Sequence, residues 1–379
     1  MSEAPLTYSS QVNDARTNLI GLNQTDMEAF FAQLGEKRFR ATQVLKWIHQ
    51  QNTSRFDAMS NIGKALQQQL EQVATICPPE VIMDQLSSDG TRKWVLGLAD
   101  GNRVETVFIP DDDRGTLCIS SQVGCALDCS FCSTARQGFN RNLTSDEIIA
   151  QVWLATRLLN EEQRPGRIIT NVVFMGMGEP LLNFDNVMRA IDLLLDDNAY
   201  GLSKRRVTIS TAGVVPGIDR LVERVPVQLA ISLHATDDAL RNELVPLNRK
   251  YPLNQLISAC RRFMEKQPQR SRLTIEYVML DGVNDTDHHA RKLIQVLKDI
   301  PVLVNLIPFN PFPESGYGTS SPERVKQFQT ILMNAGVLTV IRRTRGDDID
   351  AACGQLVGKV SDKSRRHKKF ESPRFGMNT

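Results

Sequence analysis

Apolar positions in the first quarter of the chain recur at helical spacing in Met27–Leu34, Val44–Ile48 and Ile62–Val73. That period predicts a group of helices over 24–75. Cys77-Pro78-Pro79 then punctuates the pattern. The period next falls to two in Lys93–Leu98 and Arg103–Ile109, which flank Asp100-Gly101 and so predict a β-hairpin. Beyond the hairpin, short β-rich runs alternate with amphipathic ones. The predicted strands are Thr116–Ser121, Asn171–Met175, Arg206–Thr211, Val227–Leu233, Thr274–Leu280, Val302–Ile307 and Val337–Ile341. The predicted helices are Ser145–Leu159, with Thr144 and Glu147 as a capping box, then Asp185–Leu195, Asp237–Leu244, Leu253–Glu265, Asp285–Leu297 and Pro322–Met333.

Repeated β–α alternation means parallel strands joined by crossover helices. Six or seven units suit an open or nearly closed barrel, whose chemistry lies at the carboxy ends of its strands. The expected fold class is therefore α/β. A partial (β/α)6 barrel spans 116–343, preceded by a helical accessory domain over 1–85 and a hairpin extension over 86–115. A loop and tail, 344–379, follow it.

Composition adds limits. Of 379 residues, 41% are hydrophobic and 23% charged, enough to bury full cores and too apolar for a disordered chain. The net charge of +2 names no partner, but it is uneven. From Lys359 onward seven basic residues face two acidic ones, so the tail carries +5 and residues 1–358 carry −3. Such an arm contacts polyanions or is simply solvated. The polar start of the chain lacks a signal-peptide layout, and no apolar run is long enough to span a membrane. A cytoplasmic protein is the expectation.

Seven cysteines is an odd number, and three crowd into Cys125-Ala-Leu-Asp-Cys129-Ser-Phe-Cys132. This argues against a secreted disulfide framework and for metal or redox chemistry in a reducing compartment. Three thiolates are one short of a closed zinc site, and no fourth Cys or His follows at zinc-ribbon spacing. On an iron–sulfur cubane, three ligands leave one iron open to a small molecule. A zinc knot with a distant fourth ligand, or unrelated buried thiols, are the alternatives on spacing alone. Cys77 and Cys260 read as incidental or buried thiols, and Cys118 as strand core. Cys353 lies in a polar, glycine-bounded stretch, either an accessible reactive thiol or an ordinary loop thiol. Polar residues mark other strand ends: Gly176-Met177-Gly178-Glu179-Pro180, Ser210, Ser232-Leu233-His234 and Asn310. Each alone reads as a cap or turn, while their spacing by β–α unit favours one shared site. Glu105, on the hairpin, reads from its position alone as a strand carboxylate paired with an arginine.

The cysteine spacing after a first barrel strand, with Phe131 before the last cysteine, resembles the radical S-adenosylmethionine superfamily. Gly176–Pro180 is similar to that superfamily's Gly-Gly-Glu-Pro segment, which binds the methionine amino group. The resemblance implies a [4Fe-4S] cluster on Cys125, Cys129 and Cys132. It implies S-adenosylmethionine held by Gly178, Glu179, Ser210, Ser232, Leu233, His234 and Asn310. Across about 22–357 the chain is similar, more narrowly, to the radical adenine-C2 methyltransferases of 23S rRNA and tRNA. The match is carried by Cys118, the cluster cysteines, Met175–Pro180, Ser232–His234, Asn305–Pro308, Asn310-Pro311, Ala351–Leu356 and Val104-Glu105-Thr106.

Adenine C2 is electron-poor and does not attack a sulfonium methyl, whereas a carbon radical can add to it. The resemblance implies that one S-adenosylmethionine methylates Cys353 and a second yields a 5′-deoxyadenosyl radical. That radical takes hydrogen from the Cys353 methyl, and the methylene radical adds to C2. Glu105 then removes the C2 proton, and Cys118 forms a disulfide with Cys353 as methylated adenine leaves. Thiol reduction resets the enzyme. Implied partners are 23S rRNA, tRNA and an electron donor such as flavodoxin, with a monomer as the default. Lys37, Arg38, Arg40, Lys46, Lys204-Arg205-Arg206, Arg342-Arg343 and Arg345 are candidate phosphate contacts. Two other readings stand: a C8-methylating 23S rRNA resistance enzyme, and a non-catalytic iron–sulfur redox or RNA-binding regulator.

Overall fold

The computed structural model describes residues 16–112, 114–160, 168–224, 227–312, 315–351 and 356. Strand β1 (Thr17–Asn18) pairs in parallel with β2 (Ala74–Thr75), which closes the amino-terminal helical segment on itself. Between them lie α1 (Gln24–Gln33), α2 (Arg38–His49) and α3 (Lys64–Val73). Asn23 caps α1 by accepting the Asp26 N–H at 2.9 Å. Met27, Phe31, Val44, Leu45, Ile48, Leu66 and Leu70 are buried, as their spacing predicts.

The hairpin is broader than predicted. β3 (Glu80–Leu86), β4 (Arg92–Gly97), β5 (Arg103–Asp111) and β6 (Arg114–Cys118) form a continuous antiparallel run. Gly101 turns the β4–β5 connection at φ 80°. Strand β3 goes beyond the predicted set. It is a sheet edge with Ile82, Met83 and Leu86 exposed, so its sequence carries no alternation to read.

β6 ends at Cys118, earlier than the predicted Ser121. Its free edge pairs in parallel with β9 (Asn171–Phe174). Between them, β7 (Gln122–Gly124) and β8 (Phe139–Asn142) pair and bracket the cysteine loop, followed by α5 (Ser145–Asn160). A one-turn helix, α4 (Ser133–Arg136), directly follows Cys132. Then come α6 (Phe184–Leu195), β10 (Val207–Thr211), α7 (Val215–Arg224), β11 (Gln228–Ser232), α8 (Asp238–Leu244) and α9 (Leu253–Glu265). β12 (Leu273–Met279), α10 (Asp287–Val296), β13 (Val302–Pro308), α11 (Pro322–Asn334) and β14 (Leu338–Ile341) complete the series. The order β14-β13-β12-β11-β10-β9-β6 is parallel throughout, and β5-β4-β3 extend it beyond β6. This is the expected partial α/β barrel. Helix α7 was hidden behind Val215-Pro216-Gly217, which reads as punctuation although proline fits a first helical turn. The half of the capping box contributed by Glu147 forms, its carboxylate accepting the Thr144 N–H at 3.0 Å.

Strand parity divides the sheet. Val172, Phe174, Val207, Ile209, Leu229, Ile231, Ile275, Tyr277, Val304 and Leu306 are fully buried on the helix-covered face. The registers Cys118↔Val173, Val173↔Thr208, Thr208↔Gln228, Ser232↔Glu276 and Glu276↔Asn305 trace the opposite, concave face. That face is partly polar, because the barrel is open and a cavity fills its upper half. The helical segment seats against the barrel through Trp153 of α5, which is fully buried and donates its Nε1–H to Ile48 O at 2.8 Å.

Candidate active site

At the carboxy ends of the parallel strands lies a cleft of roughly 1020 Å³, its open mouth included. Cys125, Cys129, Cys132, Gly178, Glu179, Ser210, Ser232, His234 and Asn310 all line it. Nine residues predicted from five separate segments thus share one wall. Leu233 does not: its side chain is fully buried, and its backbone N–H donates to Glu276 O.

The cysteine loop is fixed by backbone bonds. Cys125 N–H donates to Gly138 O at 2.8 Å, Cys132 N–H to Cys129 O at 3.2 Å, and Ser130 N–H to Leu244 O at 3.1 Å. Leu127, Cys129 and Phe131 pack on an apolar patch with Ala212, Val245, Val278 and Phe309. Among the described residues, no three Cys, His, Asp or Glu side chains converge closely enough to hold a single metal ion. The three thiols share one cavity wall, a donor set that fits a [4Fe-4S] cluster with one iron left open.

The Gly176–Glu179 turn is built for close approach. A Cβ on Gly178, at φ 98°, would lie 2.5 Å from Gln122 Cβ. One on Gly176 would lie 2.8 Å from Ile119 O. Ser120 Oγ ties this turn to the hairpin, donating to Glu105 O at 2.6 Å and accepting Met177 N–H at 2.9 Å. Glu179 is 3% exposed, with Oε1 accepting Leu181 N–H and Oε2 accepting Ala212 N–H. Burial pushes its pKa up to about 7, against those backbone donors. A carboxyl raised in this way contributes stability in its neutral form. That contribution is complete below about 4.5 and lost as pH rises through about 7. A ligand amino group acts oppositely, since its N–H donors favour the charged carboxylate. Calorimetric titration of S-adenosylmethionine is expected to show wild-type affinity rising between pH 6 and 8. Glu179→Gln should flatten that rise and cost about tenfold or more in affinity at pH 8, one lost charge-assisted bond. Wild-type affinity in the variant would count against Glu179 as an S-adenosylmethionine contact.

His234 sits at φ 59°, and its Nδ1 accepts Val278 N–H at 3.1 Å. Burial, with Arg241 behind it, holds its pKa at about 3. The ring is therefore neutral, with its proton on Nε2, and its edge packs on Phe131 at a centroid distance of 4.7 Å.

Glu105 and Cys118 lie off the cleft wall but share the concave face. Cys118 pairs with Val107, two residues from Glu105 on β5, so the two are diagonal neighbours. Both are buried. Cys353 lies outside the described residues. Its described flanks are anchored: Ala351 N–H donates to Gly346 O, and Leu356 lines the cleft while its carbonyl accepts Thr134 Oγ1 at 2.8 Å. Lys204–Arg206 precede β10 at the amino end of the barrel, away from the cleft. Arg342, Arg343 and Arg345 instead border Asn310 at the mouth.

Two wall or support residues escaped the sequence. Glu276, 5% exposed, lines the cleft and accepts Asn305 Nδ2–H at 2.9 Å, and burial raises its pKa. Its signal was a carboxylate inside the apolar run Thr274–Leu280. Arg241 is fully buried beneath the strand ends, and no motif within its helix singles it out in the sequence.

This barrel, with three loop thiols at its mouth and a glycine-cradled carboxylate beside them, defines a radical S-adenosylmethionine enzyme. The Radical SAM superfamily model matches residues 119–294, and the ribosomal RNA large subunit methyltransferase N-terminal domain model matches 17–76. The chain is 58% identical over 355 residues to the dual-specificity RNA methyltransferase RlmN of Marinobacter nauticus, covering 94% of this chain and 96% of that protein. A crystal structure of a radical SAM methyltransferase from Sphaerobacter thermophilus superposes with a TM-score of 0.84 at 43% identity, over 90% of this chain and 99% of that one. The chain belongs to the RlmN family of radical S-adenosylmethionine RNA methyltransferases, whose cofactors are a [4Fe-4S] cluster and S-adenosylmethionine. Among the described residues no helix is long and apolar enough to cross a membrane.

Proposed function

We propose that this protein methylates C2 of an adenosine in the peptidyl-transferase centre of 23S rRNA and C2 of the adenosine 3′ of the anticodon in tRNAs. One observation carries the reading. The cluster thiols, the Glu179 turn, Ser210, Ser232, His234 and Asn310 line one cleft, and Glu105 and Cys118 stand on the same concave face. Cys125, Cys129 and Cys132 would hold the cluster, which would supply the electron that splits S-adenosylmethionine. Glu179 and the Gly178 backbone receive the methionine amino group, and Ser210, Ser232, His234 and Asn310 orient the rest. Two S-adenosylmethionine molecules are used per turnover, the first to methylate Cys353. Glu105 takes the C2 proton, and Cys118 closes the cycle as a disulfide with Cys353.

A flipped or unpaired adenine is needed at such a mouth. Arg342, Arg343 and Arg345 supply phosphate contacts there, the basic tail, which lies outside the described residues, adds further positive charge for RNA, and the helices of residues 1–85 dock the folded RNA. The enzyme works as a cytoplasmic monomer with a flavodoxin-like electron donor. The test is anaerobic reconstitution with a 23S rRNA fragment, reductant and methyl-labelled S-adenosylmethionine, followed by nucleoside mass analysis. 2-Methyladenosine is expected. A methyl group at C8 would identify the resistance-type enzyme instead, and failure to cleave S-adenosylmethionine would favour a redox regulator.

A further inference from the structure

Arg241 on α8 is fully buried, and its hydrogen bonds go to the oxygens of neutral groups. A buried cation is expensive unless its donors are satisfied. Here its fork is spent on backbone carbonyls. Nη2 donates to Ala212 O at 2.6 Å and Ser232 O at 3.2 Å, Nε donates to Leu233 O at 3.0 Å, and Nη1 donates to Asn248 Oδ1 at 2.9 Å. Ala212 and Ser232 terminate or follow β10 and β11 on the cleft wall, and Ala212 N–H holds Glu179. One side chain therefore fixes two strand ends whose separation shapes the cleft. Helix α8 also touches the cysteine loop, because Leu244 O accepts Ser130 N–H, and Leu244 packs in the same apolar patch as Cys129.

We propose that Arg241 is a positioning residue for both cofactors, clamping the ends of β10 and β11 under S-adenosylmethionine and holding a fixed positive charge against the loop that carries the cluster. The charge has a direction of action. Helix α8 sets that charge beside the cysteine loop through the Ser130–Leu244 bond and the apolar patch that Leu244 shares with Cys129. Cluster potentials respond to net charge and hydrogen bonding around the sulfurs. A nearby cation favours the reduced, more negative cluster.

The inference rests on the cluster assignment, so the wild-type chain is reconstituted first; absence of its cluster would count against that assignment and not against Arg241. Arg241→Met and Arg241→Lys are then compared as full-length, cluster-loaded proteins whose folding is verified by thermal melting. Two readouts separate clamp from charge: the cluster midpoint potential by EPR-monitored titration, and the S-adenosylmethionine concentration that half-converts the EPR spectrum. Arg241→Met is expected to shift the potential negative and raise that concentration at least tenfold. Arg241→Lys is expected to keep the potential near wild type while still weakening S-adenosylmethionine several-fold, because a lysine cannot span three carbonyls. A folded Arg241→Met protein with wild-type potential and wild-type response overturns the proposal. If that variant fails to fold, a wild-type S-adenosylmethionine response in Arg241→Lys overturns it.

Discussion

Cys129→Ala is expected to fold normally, to retain no stoichiometric [4Fe-4S] cluster after anaerobic reconstitution, and to lose methyl transfer by at least about a thousandfold, or ~4 kcal/mol of barrier. The loop does not depend on this sulfur for its shape. Its backbone bonds run through Cys125, Ser130 and Cys132, and Ser130 Oγ meets the Tyr317 hydroxyl at 2.7 Å. An alanine keeps the apolar contacts made by the Cys129 Cβ in its patch. What is lost is one of the three thiolates proposed to hold the cluster, and two would not hold a cubane that has only three protein ligands to begin with. Cys260→Ala is the control. That thiol is buried in α9 and does not line the cleft, and burial pushes its pKa up to about 12. Cys260→Ala should cost some stability and leave iron content and visible absorption intact. A Cys129→Ala protein with full iron content and activity would overturn the ligand assignment.

The barrel was legible because its strands are short and its helices amphipathic. The observed Leu253–Glu265 helix matches its predicted bounds, and most parallel strands fall within a residue or two of theirs. What escaped did so for local reasons. Edge strand β3 is exposed on both faces and has no period to detect, and α7 begins with residues that otherwise mark turns. The site was legible as motifs but not as geometry. Thirteen positions separate Glu105 from Cys118, and only the antiparallel register between β5 and β6 makes them neighbours. Parity likewise decides that Glu276 faces the cleft while Tyr277 packs against Phe328 of α11. Arg241 carried no signal, because its role depends on the carbonyls of two distant strands.

Cys118→Ala is expected to stop the reaction after carbon–carbon bond formation and to accumulate RNA covalently joined to the protein. Cys118 is buried at the last residue of β6, beside Val173 and diagonal to Glu105, so it faces the concave side rather than the helices. In the proposed cycle the adduct gives up its unpaired electron, for which the oxidised cluster would be the acceptor. The Cys118 thiolate then bonds to the Cys353 sulfur as the bond from that sulfur to the new carbon breaks, and the electron pair left on that carbon takes up a proton to make the methyl group. Without that thiolate, the proton can leave C2 but the adduct cannot be resolved. Denaturing gels should show a slower species that carries both protein and RNA, and peptide mass mapping should place the adenosine on Cys353. Stability should change little, since a buried thiol-to-methyl change costs of order 1 kcal/mol. Glu105→Gln should trap the same species, because the earlier step, loss of the C2 proton, then fails. Cys353→Ala should trap none, since no methyl acceptor remains. Normal turnover by Cys118→Ala would exclude the disulfide step, and an adduct mapping to any other residue would move the methyl carrier off Cys353.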